Sequence, residues 1–109
     1  MDKNKALEAL AALSQETRLD VFRLLVRVGA EGLPAGEIGE RLGVKQNTMS
    51  ANLSVLAHAG LVRTEREGRS IRYFADFDGM RGFMGYLLEN CCGGDPAQCQ
   101  PVLAKLSCC

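Results

Sequence analysis

The sequence predicts a mainly α-helical domain carrying one β-hairpin. Three observations carry this. Apolar residues recur at three- and four-residue steps along most of the chain, and glycines at Gly29, Gly43 and Gly60 punctuate that pattern. Only the segment from Leu61 to Phe74 switches to strand-forming residues around a glycine turn. With 109 residues, 47% hydrophobic and 24% charged, the composition is that of one globular domain. No stretch approaches the roughly 18 apolar residues that cross a bilayer. The amino-terminal MDKNKALEAL also lacks the pattern of a cleaved secretion signal, so a cytoplasmic chain with no membrane partner is expected.

The first helix is predicted over Lys5 to Ala12, with Leu7, Leu10, Ala11 and Leu13 along its inner side. Ser14 reads as the cap of a second helix, with Glu16 near the positive end of its dipole and Leu19, Phe22, Leu24, Leu25 and Val28 as its apolar stripe. A third, short helix from Ala35 to Leu42 follows Pro34, buries Ile38 and Leu42, and is closed by Gly43.

The fourth helix, Thr48 to Ala59, points Met49, Leu53, Leu56 and Ala57 inward. Gln46, Asn47, Ser50, Asn52 and Ser54 face outward, and there is no charge from Gln46 to Ala57. Exposed helix faces ordinarily carry Glu and Lys. Short or planar hydrogen-bonding groups lower helix propensity, so something other than local stability selects them. Asn and Gln bond two base-edge atoms at once, and Ser bonds a base or a phosphate. The link Gly43-Val44-Lys45-Gln46 gives the spacing of a helix-turn-helix. Leu61 to Thr64 and Ser70 to Phe74 then form a hairpin turning at Glu67-Gly68, with Arg66, Arg69 and Arg72 at or beside its tip: a wing. Candidate base contacts are Gln46, Asn47, Ser50 and Thr48. Asn52, Ser54, Arg63, Arg66 and Arg69 are candidates for phosphate.

The charge distribution fits that unit. The whole chain balances 13 basic against 13 acidic residues, yet from Arg41 to Ala75 six basic residues stand against two acidic ones. Such a patch is either a solvated face or a phosphate-binding surface.

A last long helix starts at a cap on Asp76 or Asp78 and ends at Glu89 or Asn90. Phe77, Met80, Phe83, Met84, Leu87 and Leu88 form a wide apolar face, and Gly79, Gly82 and Gly85 a ridge. Each helical glycine costs about 1 kcal/mol relative to alanine, so the ridge implies close approach of the first helix or of a second chain.

All five cysteines lie in the last nineteen residues: Cys91, Cys92, Cys99, Cys108 and Cys109. An odd number gathered in a tail argues against a disulfide scaffold. Three thiolates suit a soft ion, a redox switch is the alternative, and incidental thiols in a flexible tail are a third reading. His58, the sole histidine, reads as a surface residue. Walker, dinucleotide-binding and HExxH motifs are absent and His58 has no carboxylate or cysteine near it in the chain, so neither an enzyme nor an organic cofactor is expected.

Taken together, Ser14-Gln-Glu-Thr-Arg-Leu, the stretch from Gly39 to Ser50, Leu53-Ser-Val-Leu-Ala-His-Ala-Gly-Leu-Val and the hairpin Arg69 to Phe74 resemble the ArsR/SmtB family of metal-responsive winged helix-turn-helix repressors. The resemblance implies a homodimer through the first and last helices that binds double-stranded operator DNA and releases it when metal binds. It divides the chain into a DNA-binding and dimerisation domain over residues 1–92 and a cysteine-containing tail over 93–109. No cysteine lies between Gly36 and Leu42 and no histidine in the last helix, which places metal binding in the tail. Cys91-Cys92-Gly-Gly-Asp-Pro-Ala-Gln-Cys99 is similar to the carboxy-terminal cysteine set of arsenic-responsive members. That similarity implies As(III) or Sb(III) as inducer on Cys91, Cys92 and Cys99. Cys108 and Cys109 are alternative ligands, and they keep cadmium- or zinc-responsive repression open.

Overall fold

The computed structural model describes residues 1–106. Helices α1 (Lys3–Leu13) and α2 (Glu16–Val28) are followed by a 3-10 turn at Gly29–Glu31 and a two-residue strand β1 (Leu33–Pro34). Then come α3 (Ala35–Leu42), α4 (Gln46–His58), the hairpin β2 (Val62–Glu67) and β3 (Ser70–Ala75), α5 (Phe77–Leu87), a 3-10 turn at Cys91–Gly94 and α6 (Pro96–Leu106). The predicted mainly α fold with a β-hairpin wing is the fold observed.

Helix α1 begins where the Asp2 carboxylate accepts the Lys5 N–H at 2.8 Å. Its buried face is Ala6, Ala9 and Ala12, while Leu7 and Leu10 are 54% and 45% exposed. The expected leucine face is therefore corrected: methyl-sized residues at steps of three let α1 lie close against α2, α4 and α5. Ser14 does not cap α2. Its hydroxyl donates to the Ala11 carbonyl at 2.9 Å and closes α1, and the Gln15 side-chain oxygen caps α2 by accepting the Arg18 N–H at 2.8 Å. Within α2, Val21, Phe22, Leu24 and Leu25 are buried, whereas Leu19, expected on the stripe, is exposed. Val21 and Leu25 join Ile38, Met49, Leu53, Leu56 and Leu61 as the fully buried centre of the core. Leu42 is only half-buried and Ala57 is exposed, against expectation for both.

The sheet is antiparallel in the order β1-β3-β2, with Val62 opposite Ala75 and Glu67 opposite Ser70. The turn therefore falls on Gly68-Arg69, one residue later than predicted, with Gly68 at φ +61° as a tight hairpin turn requires. Strand β1 was not foreseen, since two residues leave no periodicity to read.

Helix α5 starts where the Asp76 carboxylate accepts the Gly79 N–H at 3.0 Å. Its apolar face is divided: Phe83 is buried, Phe77, Met80 and Met84 are half-buried, and Leu87 and Leu88 are exposed. The glycine ridge is divided too. A Cβ at Gly79 would land on the Gly60 carbonyl, whereas one at Gly85 would meet no atom within 4 Å. Helix α6, with Pro101 inside it, lies in a segment expected to be tail. The radius of gyration, 15.4 Å, exceeds the ~13 Å of a compact chain this long.

Gly79→Ala forces the α4–β2 corner away from α5 and should cost about 1–3 kcal/mol in denaturant unfolding. Stability equal to or above wild type would show that α5 does not approach Gly60 this closely.

Candidate nucleic-acid interface

Two glycines set the angle between α3 and α4. Gly43 adopts the left-handed conformation at φ +67°, and the Val44 N–H donates to the Gly39 carbonyl at 3.0 Å. A Cβ at Gly39 would stand 2.9 Å from the Val44 carbonyl oxygen, so only glycine lets the turn fold back on α3. Helix α4 then buries Met49, Leu53 and Leu56 and presents Gln46, Asn47, Thr48, Ser50 and Ser54 to solvent. The Asn47 side-chain oxygen accepts the Thr48 N–H at 2.9 Å, leaving its amide group as a donor on the first turn.

Asn52 departs from the expected outward position. It is 8% exposed, and its side-chain oxygen accepts a hydrogen bond from Arg18 Nη1 at 3.3 Å. Arg18 also donates through Nε to the Ala12 carbonyl at 2.6 Å and through Nη2 to the Ala11 carbonyl at 3.5 Å. One guanidinium thus joins the end of α1, the first turn of α2 and the middle of α4. The sequence reading missed Arg18. A single arginine at the start of a helix carries no spacing signal, and Asn52 is 34 positions away.

The wing sorts its arginines into two kinds. Arg63 lies over the Phe74 ring at 4.2 Å and pairs with Glu65 at 3.0 Å, so its cation is held along the strand. Arg72 pairs with Glu67 at 2.5 Å and donates to the Glu31 and Gly32 carbonyls at 3.0 and 3.2 Å. The hydrogen bond to Glu67, aided by the field of Glu67, Glu37 and Glu31, raises the Arg72 pKa. Arg66 and Arg69 are exposed at the tip and make no ion pair among the described residues. Arg41 is engaged by Glu37 at 3.7 Å. Lys45, exposed at the cap of α4 and without an ion pair among the described residues, is a candidate contact the sequence reading did not single out.

The thiols are described less fully. The backbone of Cys91 and Cys92 forms the 3-10 turn after α5, but their side chains lie outside the described set, as do Cys108 and Cys109 altogether. Cys99 is half-buried in the first turn of α6. Among the described residues no three His, Cys, Asp or Glu side chains converge as a metal site. None of their helices is long and apolar enough to cross a membrane.

A helix pair at a tight glycine turn, followed by a hairpin with a cationic tip, is the arrangement of a winged helix-turn-helix protein. A family model described as a helix-turn-helix domain matches residues 13–65. The transcriptional activator HlyU of Vibrio cholerae is 35% identical over 75 residues, 67% of each chain. Its solved structure superposes with a TM-score of 0.62 at 30% identity, over 80% of this chain and 97% of that one. An ArsR-like transcriptional regulator from Rhodococcus gives a TM-score of 0.70 at 26% identity, over 95% and 93%. The nodulation protein NolR of Rhizobium meliloti is 29% identical over 88 residues, 81% of this chain and 70% of that one. The chain belongs to the family of winged helix-turn-helix transcriptional regulators related to HlyU, NolR and ArsR-like proteins, and it is a regulator rather than an enzyme.

Arg18→Ala should cost about 1–3 kcal/mol, because Asn52 and two carbonyls lose a charged donor. Arg23→Ala, exposed on the same helix, should stay within about 0.5 kcal/mol. Equal effects in parallel urea titrations would refute the bridging role of Arg18.

Proposed function

We propose that the chain is a homodimeric repressor that holds double-stranded operator DNA and releases it on binding As(III) or Sb(III). One observation carries the DNA half. The exposed, uncharged face of α4 stands beside cations that no carboxylate pairs with among the described residues, Lys45 at its cap and Arg66 and Arg69 on the wing. Gln46, Asn47, Thr48 and Ser50 read base edges in the major groove, and Ser54, Lys45, Arg66 and Arg69 rest on phosphates. Asn52 serves α4 from inside, and Arg63 supports β3 through Phe74.

The dimer reading is supported by the apolar surface left uncovered on α1 and α5. Leu7 and Leu10 on α1 and Leu87 and Leu88 at the end of α5 are exposed, and a Cβ at Gly85 would meet open space. A Mycobacterium bovis structure described as a homodimeric winged helix-turn-helix DNA-binding domain is 31% identical, with a TM-score of 0.63. Two-fold pairing sets two recognition helices on successive half-sites.

The metalloid half rests on Cys91 and Cys92, at the end of a DNA-binding unit over 1–92, and on Cys99 in the tail over 93–109. A protein of Halobacterium salinarum, provisionally named arsenical resistance operon repressor ArsR, is 38% identical over 72 residues, 62% of this chain and 55% of its own length. Three thiolates and no histidine in the tail suit a soft ion. Because three residues separate Cys91 and Cys92 from the end of α5, closure around an ion would act on the proposed dimer helix. Coupling of about 1–3 kcal/mol per site suffices to shift operator occupancy. A redox reading is the second. A solved structure described as reduced HlyU matches at 29% identity over 77% of this chain, and the same cysteines would then be oxidised rather than metallated.

In titrations on DNA from upstream of its own gene, arsenite should release the reduced wild-type protein while peroxide does not. Cys91, Cys92 and Cys99 changed together to Ser should keep DNA binding and lose that release. Release of the triple variant by arsenite overturns the metalloid assignment, and release of wild type by peroxide alone transfers it to the redox reading.

Arg69→Ala in both protomers should flatten the slope of log K against log salt by about two, one phosphate per subunit. A slope unchanged from wild type would remove Arg69 from the interface. Gly85→Ala should raise the stability of the separated protomer by up to about 1 kcal/mol and weaken self-association in sedimentation equilibrium. Unchanged association would place the dimer contact elsewhere.

A further inference from the structure

We infer that Arg72 and Glu67 form a clamp that sets the angle of the wing against the helical body, so that Glu67, an acidic residue near the wing tip, promotes DNA binding. The inference rests on the operator reading above and assigns Arg72 as a positioning residue.

The geometry is specific to guanidinium. Arg72 lies on β3 opposite Glu65 on one side and opposite Pro34 on the other. Pro34 has no N–H to give β3, so the short β1 strand cannot complete a regular ladder there. The Arg72 side chain ties this edge to the turn that precedes β1. Nη1 bonds the Glu31 and Gly32 carbonyls at 3.0 and 3.2 Å, at the end of the turn that follows α2. Nε bonds Glu67 at 2.5 Å, at the last residue of β2 before the turn. One planar group thus spans from the body to the far end of the wing. A lysine cannot do this, since all its donors sit on one nitrogen and cannot stand both where Nη1 meets the two carbonyls and where Nε meets Glu67.

A second contact fixes the same junction. Gly32 has φ +61°, and a Cβ there would come within 2.6 Å of both the Phe74 ring and the Tyr73 carbonyl. Backbone meets backbone where β3 leaves the body. Past that point Arg72 makes the side-chain hydrogen bonds that tie the wing to the body among the described residues, because Arg63 pairs within the hairpin. Arg66 and Arg69 therefore depend on Arg72 for their position, while Glu67 keeps the Arg72 cation turned into the wing.

The sign of one substitution separates this from a purely electrostatic role. Deleting a carboxylate beside a phosphate backbone ordinarily strengthens binding. Under the clamp, Glu67→Gln should weaken binding to the upstream DNA about two- to fivefold, the scale of a half-exposed ion pair. Arg72→Lys, which keeps the charge, should weaken it at least as much, and Arg72→Met about tenfold, since the two carbonyl bonds go too. Combining Arg72→Met with Arg66→Ala and Arg69→Ala should add nothing to the loss from the two tip substitutions alone.

Amide hydrogen exchange on the DNA-free protein gives the independent arm. Arg72→Met and Glu67→Gln should speed exchange in β2 and β3 and leave α2 to α4 unchanged. Tighter DNA binding by Glu67→Gln, full affinity in Arg72→Lys, or unchanged wing exchange in all variants overturns the clamp. A wild-type chain that retains no DNA overturns the operator reading instead, and the exchange data then decide the clamp by themselves.

Discussion

The position of α4 depends on one partly buried polar junction, Arg18 between the end of α1 and Asn52. The last carbonyls of any helix lack intrahelical partners, and at the end of α1 side chains supply them. Ser14 takes the Ala11 carbonyl, and Arg18 takes Ala12 and shares Ala11. Since α1 buries alanines and not leucines, it gains little area per residue, and its seating relies on backbone proximity and on this cap. The same guanidinium occupies the one polar side chain that α4 turns inward. The helix whose outer side is apolar and the helix whose outer side is polar are thereby held as one body.

Such economy recurs in the wing. Between Arg41 and Ala75 the sequence carries six cations and two carboxylates, which by arithmetic alone promises a strongly basic surface. In three dimensions Glu37, Glu65 and Glu67 engage Arg41, Arg63 and Arg72. Lys45, Arg66 and Arg69 remain, one at the recognition helix and two at the hairpin tip. Exposed ion pairs contribute about 0–1 kcal/mol each, so their effect on stability is small. Their effect on where charge stands is large. A few unpaired cations beside an uncharged hydrogen-bonding face favour register and base readout over indiscriminate adhesion to phosphate.

Legibility in the sequence followed how local each signal is. Helix α3, the tight turn, α4 and the hairpin were readable because Gly43, Gly60 and Gly68 mark conformations that other residues adopt poorly, and because the runs between them keep a clear period. The face of α1 was misread by one position, since alanine and leucine both count as apolar and only packing distance separates them. Ser14 and Gln15 are adjacent residues competent to cap, and the choice falls to the chain's path between α1 and α2. Asn52 was placed outward with its polar neighbours because its partner is remote in the chain. Helix α6 was hidden by Pro101 and by flanking polar residues that lack an apolar stripe. The sorting of arginines into paired and unpaired was illegible for the same reason as Asn52. It depends on cross-strand register and on carbonyls some forty residues away.

The two ends of the glycine ridge bear on how a regulator this small can be switched. Gly79 is consumed inside the chain by the Gly60 carbonyl, whereas Gly85, six residues on, stands open, and Leu87 and Leu88 beyond it are exposed. Covering a wholly exposed leucine gains about 1.5–3 kcal/mol, and these leucines are already about half covered. The four on each protomer thus supply a gain of the same order as the ~4–15 kcal/mol cost of holding two protomers together. A proposed interface balanced that closely responds to small additions at its border. The Cys91–Gly94 turn and α6 continue the chain from α5, which carries half of that proposed surface. On the proposed reading, a ligand on Cys91, Cys92 and Cys99 would not need to rebuild the fold to alter operator occupancy, since a shift of about one or two kcal/mol in pairing would already be a large fraction of what holds the protomers together.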